Sequence, residues 1–294
     1  MRTGITAVLL LLSTALVWGI TDGIAQVDRL DNEENHTAAR ELLVTLLPQA
    51  ANSSERAEVL WRLSRAELNY GGDRDDAGAA DSELLEIYEQ GEQYADQAIE
   101  ADPDNVAGYF WKASNIGRWG QTKGVLDSLF KASDMRDLLI RAIEIDPDHA
   151  DSYYVLSQLY VAVPRLISFG NNDYGVNLAR KGITLMEREI AEGAREYTAY
   201  GFYIKLAEAL NERGWNQRRR DREHSRRISD YQSARTQLER GWYFEGAVSI
   251  PAMSDKDEAE AVLRDVIRQL ERMPNPRISD QRDLAEAREL LGSL

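Results

Sequence analysis

The chain has 294 residues, with 35 Lys+Arg against 50 Asp+Glu and a formal net charge of −15. That acidity argues against nucleic acid as a partner. The lack of Cys excludes disulfides, zinc–thiolate sites, iron–sulfur clusters and cysteine nucleophiles, and three His leave little for histidine catalysis or metal ligation. With 43% hydrophobic residues there is enough apolar material for a sizeable core, and only 7 Pro beside abundant Ala, Leu, Glu and Arg favours an all-helical chain.

In chain order, the first segment reads as an export leader. Arg2 supplies a positive start, an apolar run follows from Ile5 to Val17, and Gly23-Ile24-Ala25 offers small residues for cleavage. The expectation is a signal peptide over 1–25 and a mature chain from Gln26, hence a periplasmic or secreted protein. The apolar run falls short of a membrane span of about 20 residues; the alternative is an uncleaved N-terminal anchor. The mature chain then carries no integral membrane span. A capping region follows over 26–54, with a helix at 33–47 that places Ala38, Ala39, Leu42, Leu43, Leu46 and Leu47 on one side.

Residues 55–241 are repetitive. Ala98-Ile99-Glu100-Ala101-Asp102-Pro103-Asp104 and Ala142-Ile143-Glu144-Ile145-Asp146-Pro147-Asp148 are near copies, 44 residues apart. Each precedes a helix that opens on aromatics, Tyr109-Phe110-Trp111 and Tyr153-Tyr154. His149, beside the second closure, reads as a turn residue. A first helix in each unit carries an aromatic or Leu, then Leu, a small residue and another bulky one: Tyr153, Leu156, Ser157 and Tyr160 show it best, Tyr203, Leu206, Ala207 and Leu210 follow it, and the helices opening at Leu60 and Tyr109 follow it more loosely. A second helix carries a small then a bulky residue, as at Ala179/Ile183 and Ala234/Leu238, with Met135/Leu139 before Pro147 and Gly91/Ala95 before Pro103 in the equivalent places. Two further helices over 242–294 cap the array. The first begins at Ser254, the segment Met273-Pro274-Asn275-Pro276 breaks the pattern, and the last runs from about Ser279 to just before Gly292.

These residues resemble the tetratricopeptide-repeat (TPR) family. The resemblance implies an all-α, TPR-like right-handed solenoid of about four extended helix pairs with capping helices at both ends. The first-helix anchors Leu60, Tyr109, Tyr153 and Tyr203 stand 49, 44 and 50 residues apart, against 34 for a standard repeat. The excess falls between the two helices of each pair and is expected as inserts at 70–82, 117–130, 162–172 and 212–226. Long-repeat proteins of this kind are similar to the T component associated with TRAP transporters and to the regulator-of-microtubule-dynamics family, through the helix pairs and the Pro164…Phe169-Gly170-Asn171 insert. The first likeness implies a transport accessory that holds an apolar small molecule.

No motif for catalysis survives inspection. Residues 117–124 have no Gly-Lys-Ser/Thr, residues 73–84 lack the calcium-loop oxygens, and neither a Ser–His–Asp signature nor a nucleophile elbow is present. The expectation is a non-catalytic protein without cofactor or metal. Its predicted site is an apolar stripe one residue after each anchor, Trp61, Phe110, Tyr154 and Ile204, rimmed by Trp119, Phe169 and Tyr174 from the inserts. The stripe either opens on a groove that takes a partner helix or an apolar ligand, or is covered by the C-terminal helix or the inserts and becomes core. The Lys/Asn positions of a peptide-carboxylate clamp hold Phe110, Ser114, Tyr154 and Gln158 instead. A second candidate is the basic cluster Arg218, Arg219, Arg220, Arg222, Arg226 and Arg227, which is either a helix laced by i,i+4 ion pairs or a dock for an anionic partner.

Overall fold

The computed structural model describes residues 19–166 and 168–294, the side chains of 125–128 excepted. Thirteen α-helices and no strand occur among the described residues. Helices α1 (Ile20–Asn32) and α2 (His36–Leu46) form the N-terminal cap. Three antiparallel pairs follow: α3 (Ser53–Asp76) with α4 (Asp81–Ala101), α5 (Val106–Lys123) with α6 (Val125–Ile145), and α7 (Ala150–Ala162) with α8 (Asn172–Ala191). The fourth first-helix is α9 (Gly201–Arg213). After it come α10 (Gln217–Ser233), α11 (Gln237–Trp242), α12 (Asp255–Glu271) and α13 (Ile278–Ser293).

The two near-identical closures fold alike. Asp102 and Asp146 are the C-caps of α4 and α6. After each Pro turn, a side chain accepts the N–H of the new helix: Asn105 from Gly108 at 3.1 Å, and the His149 ring from Ser152 at 3.3 Å. The aromatic that opens each helix reaches back across the turn, Tyr109 Oη donating to the Pro103 carbonyl (3.1 Å) and Tyr153 Oη to that of Pro147 (3.0 Å). The Pro ends one helix because it has no N–H, and the cap starts the next.

Small residues set the approach within pairs. A Cβ on Gly175 of α8 would sit 2.5 Å from Val161 and 3.2 Å from the Ser157 carbonyl of α7, and one on Gly182 would sit 3.3 Å from the Tyr154 nitrogen. Ser157 is fully buried at this crossing, and Ala179 lies on α8 between the two glycines. Between units, a Cβ on Gly91 of α4 would overlap the Asn115 amide of α5, whose Nδ2 donates to Ser64 of α3. Gly91 thus serves the approach to the next unit.

Two expectations need correction. The extra length does not emerge as loops at 70–82 and 117–130: α3 and α5 run on to Asp76 and Lys123, and α6 begins at Val125. The hydrogen-bonded helix is extended there because it satisfies the backbone of additional residues without a loop. At the third expected insert α7 ends at Ala162 and α8 begins at Asn172, and most of the fourth, 212–226, is the start of α10. The fourth second-helix is not at Ala234/Leu238 either. It is α12, which packs on α9 through Ala259, Leu263, Val266 and Leu270 in the same apolar cluster as Ile204 and Leu206. Residues 217–246 are an insertion between the two partners. Helix α1 spans the expected 25/26 junction, with Gly23 packed on Leu46 and Val27 fully buried; residues 1–18 of the expected leader lie outside the described part.

The array closes on itself. Helix α13 is anchored by Leu284, Leu290, Leu291 and the buried Ala287 to the C-terminal cluster, yet its first turn meets the N-terminal cap. The Glu34 carboxylate accepts the N–H groups of Ile278 (2.7 Å) and Ser279 (2.8 Å), and Arg282 pairs with Asp76 at the end of α3. Glu34 adopts a left-handed backbone (φ 57°) to do so, a conformation that a residue with a Cβ holds only when its surroundings fix it.

Candidate functional site

The first helices of the pairs line the inside of the array, and between them lies a cavity of 810 Å³. Its apolar wall comes from Phe110 and Trp111 of α5, Leu129 and Met135 of α6, and Tyr154 and Val155 of α7, while Glu286 of α13 reaches it from the closing helix. Phe110 is 6% exposed and meets Trp111 edge-on with ring centres 4.8 Å apart. Tyr154 is half-buried and stacks on Phe202 at 4.2 Å. Burial raises the Tyr154 phenol well above its ordinary value, so it stays a neutral hydroxyl.

Polar groups sit around this wall in pairs. Lys205 donates to Glu208 (2.8 Å) and Glu286 (2.7 Å). Burial alone would lower the ammonium's pKa, but these two acceptors raise it, so it remains charged. Asp151 is held by Arg195 at 2.6 Å, and Lys131 by Glu92 at 2.9 Å. Asp283, one turn before Glu286, accepts the Gly201 N–H at 3.1 Å. Its burial and the neighbouring Glu286 charge push its carboxyl up to about 6. An apolar wall with a few oriented polar groups at its edge suits an amphipathic guest. No cluster of His, Cys, Asp or Glu arranged to hold a metal occurs among the described residues.

The predicted stripe is not continuous. Phe110 and Tyr154 line the cavity together. Ile204 is fully buried in the core with α12, and Trp61 lies beneath the guanidiniums of Arg62 (4.0 Å) and Arg65 (5.2 Å). Nor do the insert aromatics form its rim. Trp119 donates to Glu89 (2.9 Å) under the Lys131 ammonium. Phe169 packs edge-on to Tyr160 below Arg136, and Tyr174 stacks on Trp242 at 4.8 Å. Lys205, Asp151 and Glu286 were missed because charged residues on an acidic helical chain carry no signal of their own.

The arginine cluster divides in two. Arg220 and Arg227 are buried, with Arg213 of α9 and beside the partly buried Arg180 of α8, against Asp173, Glu245, Asp255 and Glu258. Arg213 forks onto Asp255 with two 2.8 Å bonds and reaches Glu245 at 2.8 Å. Arg180 joins Glu245 (2.9 Å) to Glu258 (2.7 Å). Burial would raise the Glu245 carboxyl, but Arg213, Arg180 and Arg227 outweigh it and hold it at about 2. For Asp173, burial prevails over Arg227 and Arg213, and its pKa is raised. Arg218, Arg219, Arg222 and Arg226 face outward. Of the expected i,i+4 pairs only Arg226–Asp230 forms, at 3.6 Å.

Comparisons with known proteins agree with this architecture. A thermophilic TPR protein of Thermus thermophilus superposes with a TM-score of 0.55 over 91% of this chain and 98% of its own, at 13% identity. The fold is TPR-like. The family described as "Regulator of microtubule dynamics protein 1-3" matches residues 23–168. Regulator of microtubule dynamics protein 1 of Bos taurus is 31% identical over 152 residues, 52% of this chain and 45% of its own. The Pongo abelii protein of the same name is 30% identical over 116 residues, 40% of this chain and 36% of its own. The chain therefore spans less than half the length of these relatives. The matched region holds the N-terminal cap, the first two helix pairs and α7, including the helices that carry Phe110 and Tyr154.

Proposed function

We propose that the protein is a non-catalytic TPR-type binding protein that holds a partner segment, by its apolar face, in the 810 Å³ cavity between its first helices. The single observation that carries this reading is the joint presence of Phe110 and Tyr154 on that wall, at equivalent positions of successive units. A concave apolar wall rimmed by oriented charges is how an amphipathic helix is received. The relatives are named for the regulation of microtubule dynamics, and the part shared with them is the part that builds this wall. Replacing Phe110 and Tyr154 together by Ser should abolish capture of a partner that the wild-type chain retains, with an unchanged helical circular-dichroism spectrum. A folded double variant that captures the same protein equally well overturns the proposal.

The wall's closure by α13 supports a second occupant, an apolar small molecule, which native mass spectrometry of the purified chain would register as added mass.

Export by the N-terminal leader remains part of the proposal, with processing moved upstream. Cleavage at 25/26 would remove Ile20, Gly23 and Ile24, which pack in the N-terminal apolar cluster. Intact-mass analysis of the native protein should find a start at or before residue 19. A start at Gln26 in folded protein refutes this.

A further inference from the structure

Helix α10 is anomalous in how it is held. It lies in the insertion between α9 and α12, outside the helix pairs, and the residues it buries are two arginines, Arg220 and Arg227. No apolar side chain of α10 is buried. Its inner face is fixed by the ion network to Asp173, Glu245, Asp255 and Glu258. Burying that many charges is a costly way to attach a helix, since well-packed apolar residues of the same volume often do as well or better. What the network does supply is a fixed orientation for the opposite face.

That face carries Arg218, Arg222 and Arg226 at i, i+4 and i+8, all exposed. Like charges at this spacing destabilise a helix, so the row does not serve the helix itself. Arg218 meets no carboxylate among the described residues. Arg222 meets only Glu223, its neighbour in sequence, at 3.3 Å. Arg226 meets Glu223 at 3.5 Å and Asp230 at 3.6 Å, with its side chain 72% exposed. Such long, solvated contacts contribute little and leave the guanidinium forks open. Arg219, beside the row, lies 4.5 Å over the Trp215 ring. A basic row is the exception on a chain of net charge −15.

We propose that the outer face of α10 is a docking surface for an extended acidic peptide segment, whose carboxylates Arg218, Arg222 and Arg226 grip. The match is geometric as well as electrostatic. Successive arginines of the row are displaced by about 6 Å along the helix axis, and alternate side chains of an extended strand by about 6.6 Å. Acidic residues at every second position therefore meet successive arginines within the reach of flexible side chains. A planar anionic membrane fits less well, because it would also bring the surrounding acidic surface within a Debye length of about 8 Å.

The test uses the full chain and a fluorescent peptide with Glu at alternating positions separated by Ser, titrated by anisotropy at low and physiological salt. Binding should weaken with salt and fall by about tenfold or more in Arg218→Gln/Arg222→Gln/Arg226→Gln, while the thermal unfolding temperature is kept. The single variant Arg222→Gln should give a smaller loss in the same direction, and serves if the triple variant does not fold. The Phe110→Ser/Tyr154→Ser variant should bind the peptide as wild type does, which separates this surface from the cavity. The proposal is overturned if the wild-type chain ignores the peptide, if the folded triple variant binds it equally well, or if the chain instead sediments with phosphatidylserine vesicles and not with the peptide.

Discussion

Glu245 shows what one residue decides in this molecule. It follows α11, in the insertion between α9 and α12, and it receives Arg180, Arg213 and Arg227 and is itself fixed by its N–H bond to Asn177 (2.7 Å). Its folded pKa of about 2 lies below the ordinary 4.5, so its contribution is complete above pH 4.5 and is lost as pH falls towards 2. Glu245→Gln should destabilise the protein by about 3–5 kcal/mol at neutral pH, because it leaves buried guanidiniums short of a counter-charge. Urea unfolding at pH 7 and pH 3 checks this: the gap between variant and wild type should narrow at the lower pH. An equal gap at both would mean that Glu245 is not the ionised partner.

At the scale of elements, α13 is both a cap and a strap. Its apolar side belongs to the C-terminal cluster, while its first turns meet the N-terminal cap through Glu34 and the end of α3 through Arg282. Asp283 lies on its inward side, with its carboxyl raised from 3.8 to about 6 by burial and by Glu286. The sign is opposite to that of Glu245. The protonated form suits the fold, so the stabilisation is complete below pH 3.8 and is lost as pH rises through about 6. Asp283→Asn keeps an oxygen that can accept the Gly201 N–H and removes the charge. It should stabilise the protein by ~1 kcal/mol at pH 7.5, after allowance for partial exposure, and by nothing at pH 3.5. Thermal unfolding at both pH values measures this, and a loss of stability at pH 7.5 would refute the assignment.

Across the whole molecule, the sequence by itself determined the all-helical class, the repeat and the turns that punctuate it. Those features are local: Pro103 and Pro147 stop a helix wherever they stand, Asn105 and His149 cap the next, and the spacing of Leu and Ala marks a buried face. The Ser254 and Ser279 helix starts were legible for the same reason. Tertiary structure decided which helix pairs with which. Ala234/Leu238 matches the repeat pattern as well as Ala259/Leu263 does, and only packing on α9 selects α12. It also split the six arginines of α10 into a buried anchor and an exposed row, because their partners Asp173, Glu245, Asp255 and Glu258 come from segments up to 54 residues away. Likewise it left Phe110 and Tyr154 on a cavity wall while covering Ile204. A position in a repeat fixes which way a side chain points; what stands opposite depends on distant chain, and Glu34 meeting Ser279 across 245 residues is the extreme case.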